Sequence, residues 1–195
     1  MGNYFAQPLA FLISTLFSLY ILTIMLRFLL ARVGADFYNP ISQFLVKVTN
    51  PGLRPLRRLI PGFWGIDLAS VVLMLLLQSL LGLILKLLGM PYGTLLYASG
   101  VGGLGLWAIS ELVALTFNVF IFSILIQVIL SWVNPGSYNP VTVILHALNE
   151  PILRPIRRLL PAVSGFDLSP LLALIGLQIL KMLIMPPLIY LISLG

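Results

Sequence analysis

The sequence contains no cysteine and only one histidine, His146. The missing cysteines exclude disulfides, thiolate metal sites and cysteine nucleophiles. A single histidine disfavours a histidine-based metal site, and we expect neither a metal nor another cofactor. The apolar stretches also offer no nucleophile paired with a base and no two carboxylates on one face. We therefore predict a protein that is not an enzyme.

Charged residues are also scarce: they make up 8% of the 195 residues, whereas 60% are apolar. Soluble domains carry about a quarter charged residues, so this chain cannot cover a surface that faces water. A helix that spans a bilayer needs about 20 predominantly apolar residues. Four stretches meet that requirement, at positions 9–30, 68–88, 109–133 and 168–190. They are continuous and leucine-rich rather than alternating, which favours helices over strands.

What the chain does have is a block that occurs twice. Positions 38–78 and 138–178 share 17 identical residues, among them prolines, arginines and an aspartate. The closest match is PGLRPLRRLIP at 51–61 against PILRPIRRLLP at 151–161. The chain is therefore one unit used twice. We assign 1–92 to the first repeat and 93–195 to the second, and leave open whether 94–109 lie at the interface or extend the third span.

The cations predict how the spans are oriented. No lysine or arginine precedes Arg27, so we interpret the first run as a retained span and not as a signal peptide. The loops after the first and third spans hold Arg32, Lys47, Arg54, Arg57, Arg58, Arg154, Arg157 and Arg158, whereas the other loops hold none. Lysine and arginine mark the cytoplasmic side, so we expect both repeat loops there and both termini in the periplasm.

These observations predict an all-α membrane protein with four transmembrane helices. The helices form two parallel two-helix repeats, related by a pseudo-two-fold axis along the membrane normal. Each repeat carries a cytoplasmic loop of short amphipathic interfacial helices. Asn39-Pro40 predicts the start of the first such helix. We expect Pro51 and Pro151 to end these helices, because the residue before a proline disfavours the α conformation. Each helix is then too short to span and lies along the interface.

A basic turn follows in each loop, with arginines on one side of a helical wheel and apolar residues on the other. The arginines are Arg54, Arg57, Arg58, Arg154, Arg157 and Arg158. Each arginine near an anionic surface contributes about 1 kcal/mol, so anchoring to lipid head groups is the simpler interpretation. The alternative is a docking site for an acidic protein segment or an anionic head group. Nucleic acid is disfavoured, because no aromatic residue interleaves with the arginines.

Two acidic residues lie just before the second and fourth spans. Asp67 and Asp167 are expected to cap those helices and favour their dipoles. Either can in addition pair with an arginine of its own loop, Arg58 or Arg158, and so fix the loop against the span.

Polar residues inside the spans are few. Gln78 and Gln178 occupy equivalent positions and predict hydrogen bonds between helices, and two glutamines that face one another across the axis would bring the repeats together. Glu111 lies near the start of the third span, where it either pairs with Lys86 or Lys181 or forms a proton or ion site. Arg27 and Gln127 are equivalent near the cytoplasmic span ends. We expect Arg27 to extend towards the interface and assign no role to His146.

The repeated pattern Asn-Pro…Pro-x-Leu-Arg-Pro-[Leu/Ile]-Arg-Arg-Leu-[Ile/Leu]-Pro…Gly-x-Asp-Leu resembles the YggT family of bacterial membrane proteins, over nearly the whole chain. Two copies look like the proteobacterial form, whereas YlmG-type relatives carry one. The family has no established biochemical activity and no catalytic residues to transfer. The resemblance implies an inner-membrane protein with links to osmotic and ion stress. In relatives it implies links to cell division, nucleoid distribution and cytochrome assembly.

Two hypotheses follow for function. The first is a non-enzymatic inner-membrane scaffold or assembly factor that docks anionic lipid or a protein partner through its cytoplasmic arginines. The second is a small channel or transporter for osmotic or ion homeostasis, with Gln78, Gln178 and Glu111 lining the path. Four spans with so few polar groups make a poor pore, so the second hypothesis requires a homo-oligomer.

Overall fold

The structure is a computed structural model that describes residues 5–62, 65–90, 101–133, 139–159 and 167–194. Within these ranges the chain forms six helices and no strand. They are α1 (Ala6–Arg32), α2 (Pro40–Leu59), α3 (Leu68–Leu87), α4 (Val101–Val133), α5 (Pro140–Leu159) and α6 (Ser169–Leu194). Helices α1, α3, α4 and α6 are long and apolar enough to cross a membrane. The predicted all-α fold with four candidate spans is confirmed.

Helix α4 extends well beyond the predicted third span. Residues 101–109 are helical and continue directly into it. This part of segment 94–109, whose assignment the sequence left undecided, therefore belongs to the helix of the third span. The remaining part, 94–100, lies outside the described residues. Helix α4 has 33 residues. At a rise of about 1.5 Å per residue it is about 50 Å long, which exceeds the hydrocarbon core of a bilayer and requires tilt or protrusion.

The expectation that Pro51 and Pro151 end the amphipathic helices is wrong. Helix α2 runs through Pro51 and Pro55, and α5 runs through the equivalent prolines, so each repeat has one helix of 20 residues. A proline inside a helix removes a hydrogen bond and clashes with the preceding turn. In α2 the buried residues Leu45, Thr49 and Leu53 follow one i, i+4 row across the proline. We infer that packing along this row offsets the local cost of the proline.

The four long helices lie side by side in the order α1, α3, α4, α6. Helix α3 packs on α1 and α4, and α4 packs on α3 and α6. Helix α4 also touches α1, where Thr116 Oγ1 lies 3.7 Å from Met25 Sδ. Helix α2 lies against α1 and α3, and α5 lies against α4 and α6. Helices α2 and α5 also meet, where Asn39 Nδ2 donates to the Pro140 carbonyl at 2.8 Å. We call the side of the molecule that carries α2 and α5 the basic side.

These contacts do not follow the two-fold symmetry expected from the repeat. Helix α3 of the first repeat packs on α4 of the second, yet among the described residues α6 contacts neither α1 nor α3. A symmetric pair would also bring α6 onto α1. The repeats are therefore joined head to tail, and the row of spans is open at both ends.

The largest core cluster lies near the basic side and contains residues from each of the helices α1, α2, α3, α4 and α5. Its buried members are Ile21, Ile24, Met25, Leu29, Leu30, Leu45, Leu53, Leu73, Met74, Leu112, Val119, Ile144 and Leu148. A second cluster in the other repeat unites Ile124, Leu153 and Ala173 from α4, α5 and α6. Helix α2 therefore buries its apolar row against spans that include its own two, whereas α5 divides its row, with Leu153 against its own spans and Ile144 and Leu148 in the cluster with the first repeat. This packing fixes where the arginines lie.

Candidate functional site

Asparagine caps set the start of both amphipathic helices. Asn39 Oδ1 accepts a hydrogen bond from the Ile41 amide at 2.9 Å. Asn139 Oδ1 accepts from the amides of Val141 and Thr142, each at 2.9 Å. Such a cap satisfies backbone donors that the first helical turn leaves unpaired. Because both helices start at equivalent positions, their arginines occupy the same helical register.

One arginine of each set is used by the fold. Arg57 forms an ion pair with Asp67, and Arg157 Nε lies 3.0 Å from Asp167 Oδ2. Arg157 Nη1 also lies 2.9 Å from Glu150. Each aspartate holds the amphipathic helix against the start of the following span.

The sequence suggested Arg58 and Arg158 as the partners of these aspartates, and the helical register explains the difference. Arg57 follows the buried Leu53 by four residues and lies about 40° from it around the helix. Arg58 lies about 140° from Leu53 and is exposed. Only Arg57 therefore stands on the edge of the packed face, within reach of Asp67.

Asp67 is also the N-cap of α3. Its carboxylate accepts from the Ser70 hydroxyl at 2.6 Å, and Asp167 accepts from the Ser169 amide at 2.9 Å. Partial burial opposes ionisation of Asp67, but the hydrogen bonds from Arg57 and Ser70 hold its pKa below the usual range. Burial also tends to raise the pKa of Asp167, but hydrogen bonds from Ser169 and Arg157 outweigh this effect and lower the pKa. Both caps are therefore anionic at neutral pH.

The other four arginines are exposed. They are Arg54, Arg58, Arg154 and Arg158. None of them makes a hydrogen bond or an ion pair to another described residue. We call these four the free arginines. Within the described ranges, packing gives them no structural task.

Arg27, which we expect to extend towards the interface, makes hydrogen bonds to α2. Its Nη1 donates to Thr49 Oγ1 at 2.6 Å and to Asn50 Oδ1 at 2.9 Å, and so ties α1 to α2. Thr49 is fully buried, and its hydroxyl donates in turn to the Leu45 carbonyl. The polar end of the arginine therefore binds the amphipathic helix.

The second repeat builds the same connection from neutral groups. Asn149 Nδ2 donates to Gln127 Oε1 at 2.7 Å, and the Ser123 hydroxyl donates to Asn149 Oδ1 at 2.6 Å. Gln127 Nε2 also lies 3.1 Å from His146 Nδ1, which gives the histidine a contact that the sequence did not suggest. Sequence reasoning missed Thr49 and Asn149. Both could have been found, because each is a polar residue at the same position of the apolar row of its amphipathic helix, α2 or α5.

A cleft of about 160 Å³ opens beside Arg27 in the first repeat. Two guanidinium groups and apolar side chains form its walls, which consist of Arg27, Leu30, Ala31, Ala35, Phe37, Ser42, Leu45, Val46 and Arg57. The Ser42 hydroxyl is buried and has no hydrogen-bond partner among the described residues. The cleft therefore combines positive charge with an unused hydroxyl and an apolar wall.

The polar residues inside the spans do not come together. Gln78 is buried in α3, whereas Gln178 is exposed on α6, and these two helices do not touch within the described ranges. The idea that the glutamines face one another is therefore wrong, because α4 lies between their helices. Glu111 interacts electrostatically with Lys181, whose amine donates to Asn118 at 2.7 Å. This arrangement offers no common polar path for Gln78, Gln178 and Glu111.

No group of three or more acidic or histidine side chains in the described part of the chain is placed to hold a metal ion. The chemistry available on the basic side is that of exposed guanidinium groups, which bind carboxylates and phosphates.

The sequence matches known proteins over both repeats. The model of the CCB3/YggT family matches residues 6–88 and 106–188. An uncharacterised protein of Pseudomonas aeruginosa is 50% identical over 178 residues, which cover 89% of this chain and 86% of the relative. The uncharacterised protein YggT of Escherichia coli K12 is 38% identical over 177 residues, with 90% and 88% covered.

A protein of Vibrio alginolyticus, described as an uncharacterised protein in the proC 3′ region, is 43% identical over 172 residues. These residues cover 88% of this chain and 90% of the relative. No solved structure matches the chain significantly. The family match spans most of both repeats, and the chain belongs to the CCB3/YggT family.

Proposed function

We propose that this protein is a non-enzymatic scaffold of the bacterial inner membrane that docks anionic lipid head groups at the cytoplasmic surface. The observation that carries the proposal is the set of four free arginines. They recur at equivalent positions of α2 and α5, and no described residue pairs with them. Because exposed cations that do not serve packing remain available, an anionic group outside the chain is their natural partner.

The location of the free arginines favours lipid over an acidic protein. Helices α2 and α5 pack their apolar rows against the spans, so their arginines lie beside the span ends. That is the level of the head groups when the spans cross a bilayer. Each arginine there contributes about 1 kcal/mol of attraction to an anionic leaflet.

The cleft of the first repeat supports the same ligand chemistry. Arg27 and Arg57 line it and add positive charge beside their bonds to α2 and Asp67, and its Ser42 hydroxyl has no partner among the described residues and can donate to a phosphate oxygen. Its apolar walls suit the glycerol and the first methylenes of a lipid. The excess of lysine and arginine in both repeat loops supports the cytoplasmic placement.

The test uses the full-length protein in neutral detergent. We expect phosphatidylglycerol to raise its Tm by several degrees more than phosphatidylcholine does, because a ligand that binds only the folded state stabilises it. Replacing all four free arginines with glutamine removes this difference. Replacing the same four with lysine retains most of it, since the charge is kept.

A glutamine variant that keeps the full preference for phosphatidylglycerol contradicts the proposal. An acidic protein partner is a distinct outcome. It is indicated if the wild-type protein shows no lipid preference, while photo-crosslinkers at positions 58 and 158 trap one protein in cells and the glutamine variant does not.

A further inference from the structure

The most extensive contact between the two repeats is a head-to-tail one, and smaller contacts join α1 to α4 and α5 and α2 to α5. Helix α3 packs on α4, whereas their equivalents in the other repeat, α6 and α1, do not touch within the described residues. A contact of this type uses two different surfaces, and each chain therefore retains one unused copy of each surface.

The surfaces buried between α3 and α4 are well defined. A Cβ atom on Gly82 would lie 2.7 Å from Trp107 Cζ3, so α3 and α4 approach closely at this point. Further along, Leu112 and Val119 of α4 lie in a core cluster with Met74 of α3 and Met25 of α1. Gln78 is buried in α3, one turn before Gly82.

The equivalent surfaces are open to the outside. On α1, Leu12 and Leu19 are 56% and 55% exposed, whereas their α4 equivalents Leu112 and Val119 are 8% and 7% exposed. On α6, Ile175 and Met182 are 49% and 63% exposed, and Gln178 between them is exposed as well. The two stripes that would continue the row of spans are therefore both uncovered.

Gln178 distinguishes this situation from an ordinary lipid-facing helix. Its amide lies within the candidate span Ser169–Ile192 and makes no hydrogen bond to a described residue. Hydrocarbon offers no hydrogen-bond partner, and an amide at this depth is stabilised by another helix. The equivalent Gln78 is buried.

We propose that a second copy of this chain packs its α1 on α6, repeating between chains the contact that α4 makes on α3. The proposal commits to self-association because each exposed stripe is equivalent to one side of a contact that exists within the chain. The inner contact also gives the register. Gly82 contacts Trp107, and the equivalent residues in the other repeat are Met182 and Gln7. In the same register, Gln7 of the next copy lies against Met182, and its Thr15 lies at the level of Ile175. Repeated use of the contact yields a closed ring or an open row.

The absence of cysteine makes the test direct, because any disulfide comes from introduced residues. Thr15→Cys and Ile175→Cys in one chain should give disulfide-linked dimers and larger products in membranes. Neither single variant should do so. Leu180→Cys replaces Ile175→Cys in the matched control, since Leu180 is equivalent to the exposed Leu80 on the opposite side of α3. Leu75→Cys with Leu115→Cys, the equivalent pair inside the chain, is the positive control.

Dimers from either single variant would overturn the head-to-tail arrangement. No products from the double variant, with the inner pair oxidised, would show that lipid or another protein covers α6. A second measurement uses Gln178→Leu, whose dissociation constant for self-association in detergent should rise by roughly 3- to 10-fold. Leu180→Ala should leave it unchanged, and equal effects of the two substitutions contradict the role of the amide.

Discussion

At the scale of single residues, Gly52 shows how the two repeats reach one architecture with different side chains. A Cβ atom at Gly52 would lie 2.7 Å from Tyr20 Oη and 3.2 Å from Leu73 Cδ2. The second repeat has Ile152 instead, and there the equivalent of Leu73 is the smaller, buried Ala173 in the same cluster. The volume missing from one helix is thus supplied by the other.

This exchange predicts a compensating pair of substitutions. Gly52→Ile alone should lower the free energy of unfolding by about 1–3 kcal/mol, because the added atoms overfill the space beside Tyr20 and Leu73. Adding Leu73→Ala should recover part of the loss, since the contact with Tyr20 remains. Chemical denaturation of the detergent-solubilised protein measures both values. If the double variant is as unstable as the sum of the two single variants, the proposed exchange of volume is wrong.

Arg57 and Arg58 are neighbours with different interactions, and the pH dependence of stability distinguishes their roles. A lowered pKa means that Asp67 stabilises the fold above the usual pKa of an aspartate, about 3.9, and that this contribution is lost as the pH falls through the folded-state value. Arg57→Gln removes the hydrogen bond that lowers the pKa, so the variant should lose less stability in acid, and the loss should be complete at a higher pH than in the wild type. At neutral pH it should cost less than about 1 kcal/mol, since the pair is partly exposed.

Arg58→Gln is the control, because Arg58 has no ion pair to a described residue. Its Tm should follow the wild-type dependence on pH between about 5 and 2. Identical acid profiles for the two glutamine variants would contradict the assignment of Arg57 as the partner of Asp67.

At the scale of elements, a buried polar connection joins each amphipathic helix to its first span. Thr49 is fully buried and accepts from Arg27. Thr49→Val keeps the shape but removes an acceptor from a partly buried cation, so it should cost about 1–3 kcal/mol. Thr15→Val, at an exposed position of α1, should change stability by less than about 0.5 kcal/mol. Comparable unfolding free energies for the two variants would show that Arg27 does not depend on Thr49.

The elements also show where sequence reasoning succeeds. Long apolar runs identify the four spans because their length and composition are extreme. Asn39 and Asp67 correctly predict helix starts, because a cap is a local interaction that the sequence shows directly. The prediction that α2 ends at Pro51 was wrong because the energetic cost of a proline in a helix is local, whereas the packing that offsets it comes from other helices.

At the scale of the whole molecule, the order of the spans was beyond the reach of the sequence. Helices α1 and α6 are apolar on nearly every side, and a face that packs on a helix has the same composition as one that faces lipid. Gln78 and Gln178 are identical in sequence, yet one is buried and the other is exposed. Likewise, the use of Arg57 and not Arg58 depends on the register of an uninterrupted helix, which the prolines concealed.

The central claim is that both amphipathic helices present their free arginines to the cytoplasm. Single cysteines at Leu59 and Leu159, which are exposed and equivalent, mark the basic side, and one at Leu87 marks the other end of α3. In intact spheroplasts a membrane-impermeant maleimide should label position 87 alone. After permeabilisation it should label positions 59 and 159 as well. Labelling of 159 but not 59 in intact spheroplasts would contradict parallel repeats, and labelling of both would place the free arginines outside.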